Sequence, residues 1–195
     1  MATQTTTGLQ AALKEWSIAV DALAQGETIM LLRKGGIREA AGRFTVKRDR
    51  VWLYPTYEHQ KPHLLKPAYK TQVTSVPSGW HPDSVAIKAW AEITHIFSID
   101  QAHSVDTLLP HHIWTEQFAA ERFHWKPNQP LFVLLLRVHR LTQAIAIPYQ
   151  TSYGGCRSWI ELAATLATTP STPVLTEAEY QRQVNTLQTL LLKRP

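Results

Sequence analysis

The sequence predicts an α+β fold, in which a twisted and mostly antiparallel sheet or partial β-barrel is flanked by helices. Short β-prone runs follow one another over residues 27–54, and longer ones recur over residues 85–148. Helical spacing of apolar residues marks both ends of the chain and the stretch between the two longest runs. The pattern therefore predicts a helix, a small sheet, a strand–helix–strand unit and a C-terminal helix, all within one domain over residues 9–192.

The composition is that of an ordinary globular protein with a mild excess of positive charge. Among 195 residues, 44% are hydrophobic and 18% are charged, which is enough apolar material for a core. Twenty Lys and Arg residues against 15 acidic ones give a net charge of +5, which is compatible with a polyanionic partner. The first eight residues lack the pattern of a signal peptide, and no apolar run approaches the roughly 20 residues that span a bilayer. We therefore expect a cytoplasmic protein with no membrane partner.

The first lobe, residues 9–75, is expected to contain a helix followed by a small antiparallel sheet. Apolar residues recur with helical spacing over residues 9–25, and Gly26 stands where a helix usually ends. Three β-prone runs follow, which are ETIMLLRK, GRFTVK and RVWLY. GGIREAA is expected to connect the first two, and KRD to form the turn between the last two. The proline-rich residues 56–84 predict mostly loop, with a short helix around His63–Lys66.

The second lobe, residues 84–167, is expected to be a strand–helix–strand unit. VAIKAWAEITHIFSI predicts one long strand whose alternate residues from Val85 to Phe97 share a face. Residues 101–126 predict a helical excursion. The run PLFVLLLRVHRL, residues 130–141, is too continuously apolar for an edge strand, so we place it centrally and expect LTQAIAIP to form the next strand.

Two capping-box patterns predict helix starts in the last part of the chain. In SWIE, Ser158 and Glu161 have the spacing that opens a helix, and Leu162 and Leu166 would supply its apolar face. TEAE repeats the pattern at the start of a final helix over residues 176–192.

Several words of the sequence occur together in an order that is typical of a known family. They are ALKEW at 12–16, LLRKGGI at 31–37, RFTV at 43–46, LYPTYEHQ at 53–60, RVHRL at 137–141 and YGGCRSW at 153–159. In that order the chain resembles the bacterial and archaeal family called domain of unknown function 1802, which is well represented in cyanobacteria. The resemblance covers roughly residues 9–162. It implies one coherent domain, and the family has no established activity to transfer.

A second resemblance lies at the level of the fold and rests on the order of elements alone. A long strand, a helical excursion and an apolar strand that ends in a basic residue are similar to the PUA-like group of small β-barrel modules. That group includes domains that bind RNA or modified bases. The resemblance therefore implies nucleic-acid binding only by analogy of fold.

The strongest candidate site is the basic segment that follows the first predicted strand. Seven of the 20 Lys and Arg residues lie between residues 33 and 50. Two cations end a strand that is apolar on both faces, and two glycines then follow, whose backbone N–H groups can turn toward an anion. A solvated hairpin with a glycine turn is the alternative. The candidates for phosphate binding here are Arg33, Lys34, Gly35, Gly36 and Arg43.

Two further groups are candidates for lining a pocket. Arg137 and His139 continue one apolar face of the predicted central strand, although a structural ion pair of Arg137 with Glu92 or Glu121 is the alternative. Tyr57 and His59 in LYPTYEHQ, together with Glu58, could stack on a base and hydrogen-bond its edge, or supply acid–base chemistry. Packing of the tyrosine beside proline is the alternative for Tyr57.

Metal and cofactor chemistry is not indicated. The single cysteine, Cys156, excludes an intramolecular disulfide and a thiolate-rich metal site. His59 and His63 are four residues apart, but Pro62 interrupts any continuous helix that would bring them together. No Walker-type loop or dinucleotide fingerprint occurs, so we expect no metal and no cofactor.

These residues predict a module that binds a phosphate-bearing ligand, with RNA or DNA as the first choice. One alternative is a nuclease or phosphoryl-transfer enzyme that uses Glu58 and His59 as acid–base groups. Another is a protein–protein interaction module that docks an acidic partner or a second copy. The sequence does not decide whether the protein is an enzyme, nor its oligomeric state.

Overall fold

The fold is known from a computed structural model that describes residues 8–34, 37–40, 43–46, 49–155, 157–163 and 170–192. Within these ranges the strands are β1 (Ala11–Trp16), β2 (Met30–Arg33), β3 (Ile37–Ala40), β4 (Arg43–Val46), β5 (Arg50–Thr56), β6 (Ser84–Ile99), β7 (Leu131–Pro148), β8 (Trp159–Glu161) and β9 (Ser171–Pro173). The helices are α1 (Ser17–Gln25), α2 (Pro67–Lys70), α3 (Ala102–Asp106), α4 (Glu116–His124) and α5 (Glu177–Leu192). Short 3-10 turns lie at Pro62–Leu64, Leu109–His111 and Thr151–Tyr153.

One sheet carries most of the strands, in the order β2-β7-β6-β5-β1-β8, and β9 pairs with β7 beside it. β1 and β5 are parallel, whereas the other ladders of this sheet are antiparallel. β3 and β4 form a separate hairpin. Between the described residues no ladder joins β8 back to β2, so the sheet is a partial barrel. The predicted α+β fold with a mostly antiparallel sheet is confirmed.

The alternation of side chains along the strands gives the sheet two apolar faces. In β5, Val51 and Leu53 join the larger core, which also contains α1 and residues of α4 and α5. Trp52 and Tyr54 point to the opposite face, where they pack with Trp90 in a second, more aromatic cluster. Where both faces are buried, as at residues 51–54 of β5 and 131–136 of β7, the strand is apolar throughout and lacks the simple polar–apolar alternation of a surface sheet.

The predicted helix over residues 9–25 is correct only in its second half. β1 occupies the first half, because it lies between β5 and β8 and buries both of its faces, with Ala12 and Leu13 fully inaccessible. Tertiary pairing thus overrides a local spacing that suits a helix. α1 then begins at Ser17 and ends at Gly26, whose φ of 77° is the left-handed conformation that glycine favours at a helix end.

The long strands 84–99 and 131–148 are present as predicted, with two differences in detail. β6 has register shifts between Ile87 and Ala89 and between Ile93 and His95. These bulges move Val85 and Ile87 to the aromatic cluster, whereas Ala89 lies in the larger core, so the predicted single face is wrong. β7 is central, as predicted, and continues without interruption through the run LTQAIAIP instead of giving way to a new strand.

The two capping-box predictions have opposite outcomes. At the second, the Thr176 hydroxyl accepts a hydrogen bond from the Glu179 amide at 3.3 Å, and the Glu179 carboxylate accepts from the Thr176 amide at 2.8 Å, which opens α5. At the first, the prediction is wrong: Trp159–Glu161 is strand β8, because it pairs with β1. Leu162 is buried after that strand, and Leu166 lies outside the described residues.

Shorter predictions are partly confirmed. Within GGIREAA, Ile37–Ala40 forms β3 and pairs with β4, so this predicted connector is wrong in part. The predicted small sheet of the three runs is wrong, because among the described residues β2 pairs with β7, β4 with β3, and β5 with β1 and β6, so KRD does not join a hairpin of β4 and β5. Residues 47–48 of KRD lie outside the described residues. The loop-like stretch contains the 3-10 turn at Pro62–Leu64 and the short helix α2, close to the predicted short helix. No helix among the described residues is long and apolar enough to cross a membrane.

Candidate functional site

A large cleft of about 610 Å³ lies where the ends of β1, β2 and β5 meet. β1 and β5 are parallel and in register, with Trp16 beside Thr56, so their carboxyl ends open at the same edge. We call this space the basic cleft. It is lined by Lys14, Glu15, Trp16, Leu32, Arg33, Lys34, Thr56, Glu58, His59, Ser78, Gly79, Arg122, Trp125, Tyr149, Gly155, Arg157 and Ser158.

Positive charge predominates in the basic cleft. Its described lining contains five Lys and Arg residues and two carboxylates, and they come from segments that are far apart in sequence. A concave surface with one predominant sign of charge concentrates field lines and attracts ligands of the opposite sign. The arrangement suits an anion. The cations are Lys14, Arg33, Lys34, Arg122 and Arg157.

Arg33 forms the floor of the cleft and is already paired. Its Nη1 lies 2.5 Å from the Glu15 carboxylate and 3.2 Å from the Lys14 carbonyl oxygen. The two side chains of the ion pair are only 10% and 8% exposed. The pair therefore joins β2 to β1, and its charge is largely neutralised before any ligand arrives.

Lys34 stabilises the wall of the cleft that the loop after α4 forms. Its ammonium donates to the carbonyl oxygens of Gln129 at 2.8 Å and Lys126 at 3.2 Å, in the loop that follows α4. Burial lowers the pKa of Lys34. Two bonds to neutral carbonyl groups leave the positive charge uncompensated, so Lys34 both positions this loop and contributes to the field of the cleft.

The opposite rim combines an arginine with an exposed indole. The guanidinium of Arg122 lies 5.0 Å from the ring centre of Phe118 and 5.7 Å from that of Trp125. Trp125 is 47% exposed, and the Lys126 ammonium lies 4.5 Å from its ring centre. An aromatic face flanked by two cations is a surface on which a planar anionic ligand can stack.

The YGGCRSW segment contributes the last wall. Arg157 is exposed, and its Nη2 donates to the Ser152 carbonyl oxygen at 3.1 Å. The Lys14 ammonium donates to the carbonyl oxygens of Tyr153 at 2.5 Å and Gly155 at 2.8 Å. These hydrogen bonds tie the backbone of residues 153–155 to Lys14 in β1, and this position of the segment places Arg157 beside the cleft.

Glu58, His59 and Tyr57 divide between the cleft and a neighbouring pocket. His59 is exposed, lines the cleft and has a φ of 60°. The Glu58 carboxylate accepts a hydrogen bond from the Gly79 amide. Tyr57 lies in the neighbouring pocket, with its ring 5.8 Å from that of Trp80 at an angle of 84°. Burial raises the pKa of Tyr57.

The structure brings part of the predicted site together. Arg33, Lys34 and His59 line the basic cleft, and Tyr57 lies next to it. Arg137 is elsewhere and does not line the cleft. The side chain of Arg43 and the whole of Gly35 and Gly36 lie outside the part of the chain that the structure describes.

Arg137 is engaged by the start of α5. Its guanidinium donates to the Leu175 carbonyl oxygen at 2.8 Å, lies 3.3 Å from the Glu177 carboxylate, and sits 4.9 Å from the ring centre of Tyr180. Arg137 therefore forms a structural ion pair, but its partner is Glu177, so the expected partners Glu92 and Glu121 were wrong.

The sequence prediction missed most of the residues that line the cleft. Lys14, Glu15 and Trp16 belong to the word ALKEW, and Arg157 belongs to YGGCRSW, so a signal was present in the words that carry the family resemblance. Four of those words meet at this cleft. Trp125 was recognisable only from the cations beside it in the sequence, and Arg122 had no comparable signal, because it lies on an amphipathic helix, α4, whose approach to the strand ends is a tertiary feature.

No metal centre is evident in the described ranges. Among those residues, no group of three or more His, Cys, Asp or Glu side chains is placed to hold a metal ion. Cys156 lies outside the described residues. The described lining offers charge, hydrogen bonding and aromatic stacking, together with the acid–base groups of Glu58 and His59.

Comparison with solved structures found distant similarity to a protein of Zymomonas mobilis. The crystal structure of ASCH from that organism is 14% identical, with a TM-score of 0.45, over 91% of this chain and 94% of that one. A single-substitution variant of the same protein is 16% identical, with a TM-score of 0.44, over 90% and 96% of the two chains. Such values say nothing about what the present chain binds.

A comparison with curated proteins found no match. The family model described as "Domain of unknown function (DUF1802)" matches residues 12–186. This span includes every strand and helix from β1 to most of α5, and it contains all the described residues that line the basic cleft. The chain therefore belongs to the DUF1802 family.

Proposed function

We propose that this protein binds nucleic acid through the basic cleft, which takes the sugar–phosphate backbone. The observation that carries the proposal is the convergence of five cations from distant segments on one cleft with an exposed indole at its rim. Such a field suits the phosphate groups of a nucleic acid. When a protein binds nucleic acid, contacts of Arg and Lys with the phosphates release counterions and supply a large share of the binding affinity.

Three of the cations form no ion pair in the described part of the chain, although the Glu15 carboxylate also interacts electrostatically with the Arg122 guanidinium. Lys34 and Arg157 donate only to backbone carbonyl oxygens there, and Arg122 contacts aromatic rings. Arg33 differs, because Glu15 neutralises it. The proposal therefore assigns phosphate contacts to Lys34, Arg122 and Arg157, and assigns Arg33 the task of holding β1 and β2 together.

The nuclease alternative has weaker support. Glu58 and His59 both line the cleft, but the Glu58 carboxylate accepts from the Gly79 amide and so holds a loop in place. A side chain occupied in this way is poorly suited to exchange protons during turnover. Binding is the function that the geometry supports best.

The test is the salt dependence of binding. Fluorescence anisotropy with labelled RNA and DNA oligonucleotides should show affinity that falls steeply with salt. Replacement of one phosphate-contacting cation, Arg157→Ala or Lys34→Ala, should reduce the slope of log K against log salt by about 0.7 to 0.9. Electrophoresis of the same samples reports whether the oligonucleotide has been cut, which would support the nuclease alternative.

Matched controls lie outside the cleft. Arg140→Ala and Lys70→Ala remove exposed cations that do not line it, and both variants should keep the slope of the unchanged protein. Equal losses in cleft and control variants would show that only net charge matters. Absence of salt-dependent binding to any of the oligonucleotides would overturn the proposal.

A further inference from the structure

A second pocket of about 370 Å³ adjoins the basic cleft. We call it the indole pocket. Its wall contains Tyr57 and Trp80, whose chain neighbours Thr56, Glu58 and Gly79 line the cleft. A smaller space lined in part by Thr56, Tyr57, Glu58 and Trp80 shares residues with both the cleft and the pocket, so the two lie close together. The uncharged polar and aromatic residues that line this pocket are Ser17, Tyr57, Gln60, Gln72, Thr74 and Trp80.

The indole pocket is chemically different from the cleft. Its two charged side chains in the described lining, Asp21 and Lys88, are paired with each other at 2.8 Å. The other polar groups are neutral hydroxyls and amides. Gln60 is buried, and its amide bonds to the Ser17 hydroxyl at 3.0 Å, so this part of the wall has a fixed orientation. Neutral donors and acceptors beside aromatic rings suit a planar, uncharged, hydrogen-bonding group.

Trp80 is exposed and is nevertheless held in place. Its side chain is 43% exposed, while its amide donates to the Pro77 carbonyl oxygen at 3.1 Å. The preceding Gly79 has a φ of 83° and is anchored by the Glu58 carboxylate. An indole that is fixed by its backbone and yet open to solvent is a preorganised stacking surface, because little entropy is lost when a ring stacks on it.

We infer that the ligand is single-stranded nucleic acid, with one unstacked base inserted in the indole pocket beside Trp80 and a neighbouring base stacked on Trp125. The inference rests on the proposed function and adds the class of nucleic acid. In a duplex the bases are paired and stacked on one another, so their faces are not available to either indole. Single strands expose those faces, and stacking on tryptophan is tolerant of sequence.

The experiment compares three polyanions on the full chain and its variants. The probes are a single-stranded oligonucleotide, the duplex of the same sequence, and inorganic polyphosphate, which carries charge without bases. Trp80→Ala and Trp125→Ala should each weaken binding of the single strand roughly 5- to 150-fold and leave its salt slope unchanged. Neither variant should alter binding of polyphosphate. Trp80→Phe and Trp125→Phe keep a ring and should retain most of the affinity.

The outcomes separate the two claims. If the duplex binds as tightly as the single strand, or if both Trp→Ala variants bind the single strand normally, the inference fails while the proposed function stands. If no probe shows salt-dependent binding, both fail. Unfolding by urea, followed by circular dichroism, confirms that each variant is folded, and Leu192→Ala serves as a control because it removes an exposed apolar side chain at the end of α5.

Discussion

Arg33 and Arg137 have similar sequence settings, since each follows an apolar stretch of a β-strand, but the structure uses them differently. Arg33 ends β2, forms a buried ion pair with Glu15 and faces the basic cleft. Arg137 lies inside β7, which continues to Pro148, and its guanidinium is taken up by the residues at the start of α5. A cation at the rim of a strand can face a ligand, whereas one in the body of a strand is satisfied by whatever packs over it.

The largest expected effect is the loss of the buried pair at Arg33. Glu15→Ala leaves the Arg33 guanidinium without its carboxylate in a site where both side chains are 10% exposed or less, so the free energy of unfolding should fall by about 3–5 kcal/mol. Urea denaturation measures this. Asp21→Ala is the matched control, because it breaks the exposed pair with Lys88 and should cost at most about 1 kcal/mol. Equal losses would contradict the structural importance of the Arg33 pair.

Arg137→Ala should have an intermediate effect on stability and none on binding. It removes charged hydrogen bonds that hold the start of α5 to β7, which are worth about 1.5–3 kcal/mol. The salt slope of oligonucleotide binding should stay the same, since Arg137 does not line the cleft. Arg140→Ala, an exposed change on the same strand, is the control for stability. A reduced slope in Arg137→Ala would place this residue in contact with the ligand after all.

The smallest expected effect is the pH dependence that His139 adds beside Arg137. Burial, together with Arg137 and Arg50, lowers the pKa of His139 to about 4, and its ring stacks on Trp90 at 4.1 Å. Since a histidine in the unfolded chain has a pKa near 6.5, its contribution is complete above about pH 6.5 and is lost as the pH falls toward 4.

The variant His139→Gln isolates this contribution. Between pH 7 and pH 5.5 the unchanged protein should lose about 1.2 kcal/mol more unfolding free energy than His139→Gln, because the variant has no proton to bind at this position. Urea denaturation at the two pH values provides the measurement. His112, whose pKa burial and Lys66 also lower to about 4, should account for a similar share in a parallel variant, His112→Gln. Identical pH dependence with and without His139 would show that this ring is not held neutral.

Local chemistry made much of the fold predictable. The left-handed Gly26 and the Thr176–Glu179 capping box fix the ends of α1 and α5 through contacts within a few residues. The continuous apolar run of β7 likewise predicts a central strand from the residues of that run alone. β1 and β8 could not be found in this way, because a short segment whose apolar residues fit both periods takes its structure from its partners, and here those partners are each other and β5.

The residues of the cleft also divide into those that a local pattern predicts and those that only tertiary packing brings there. Arg33, Lys34 and His59 were predictable because Arg33 ends β2, Lys34 follows it, and His59 lies three residues after the end of β5. Arg122 and Trp125 reach the cleft only through the packing of α4 against the ends of the strands, which no local pattern encodes. Arg137 was wrongly expected at a strand end because nothing in the run RVHRL distinguishes a strand that stops from one that continues.

The position of β1 between β5 and β8 also bears on how the protein is made. During synthesis β1 and β5 leave the ribosome early, but β8 is not available until residue 161 has emerged. Arg157 and the carbonyl groups that hold Lys14 come from the same late segment. The wall that completes the cleft is therefore added last, so the cleft is complete only when nearly all of its sheet has formed.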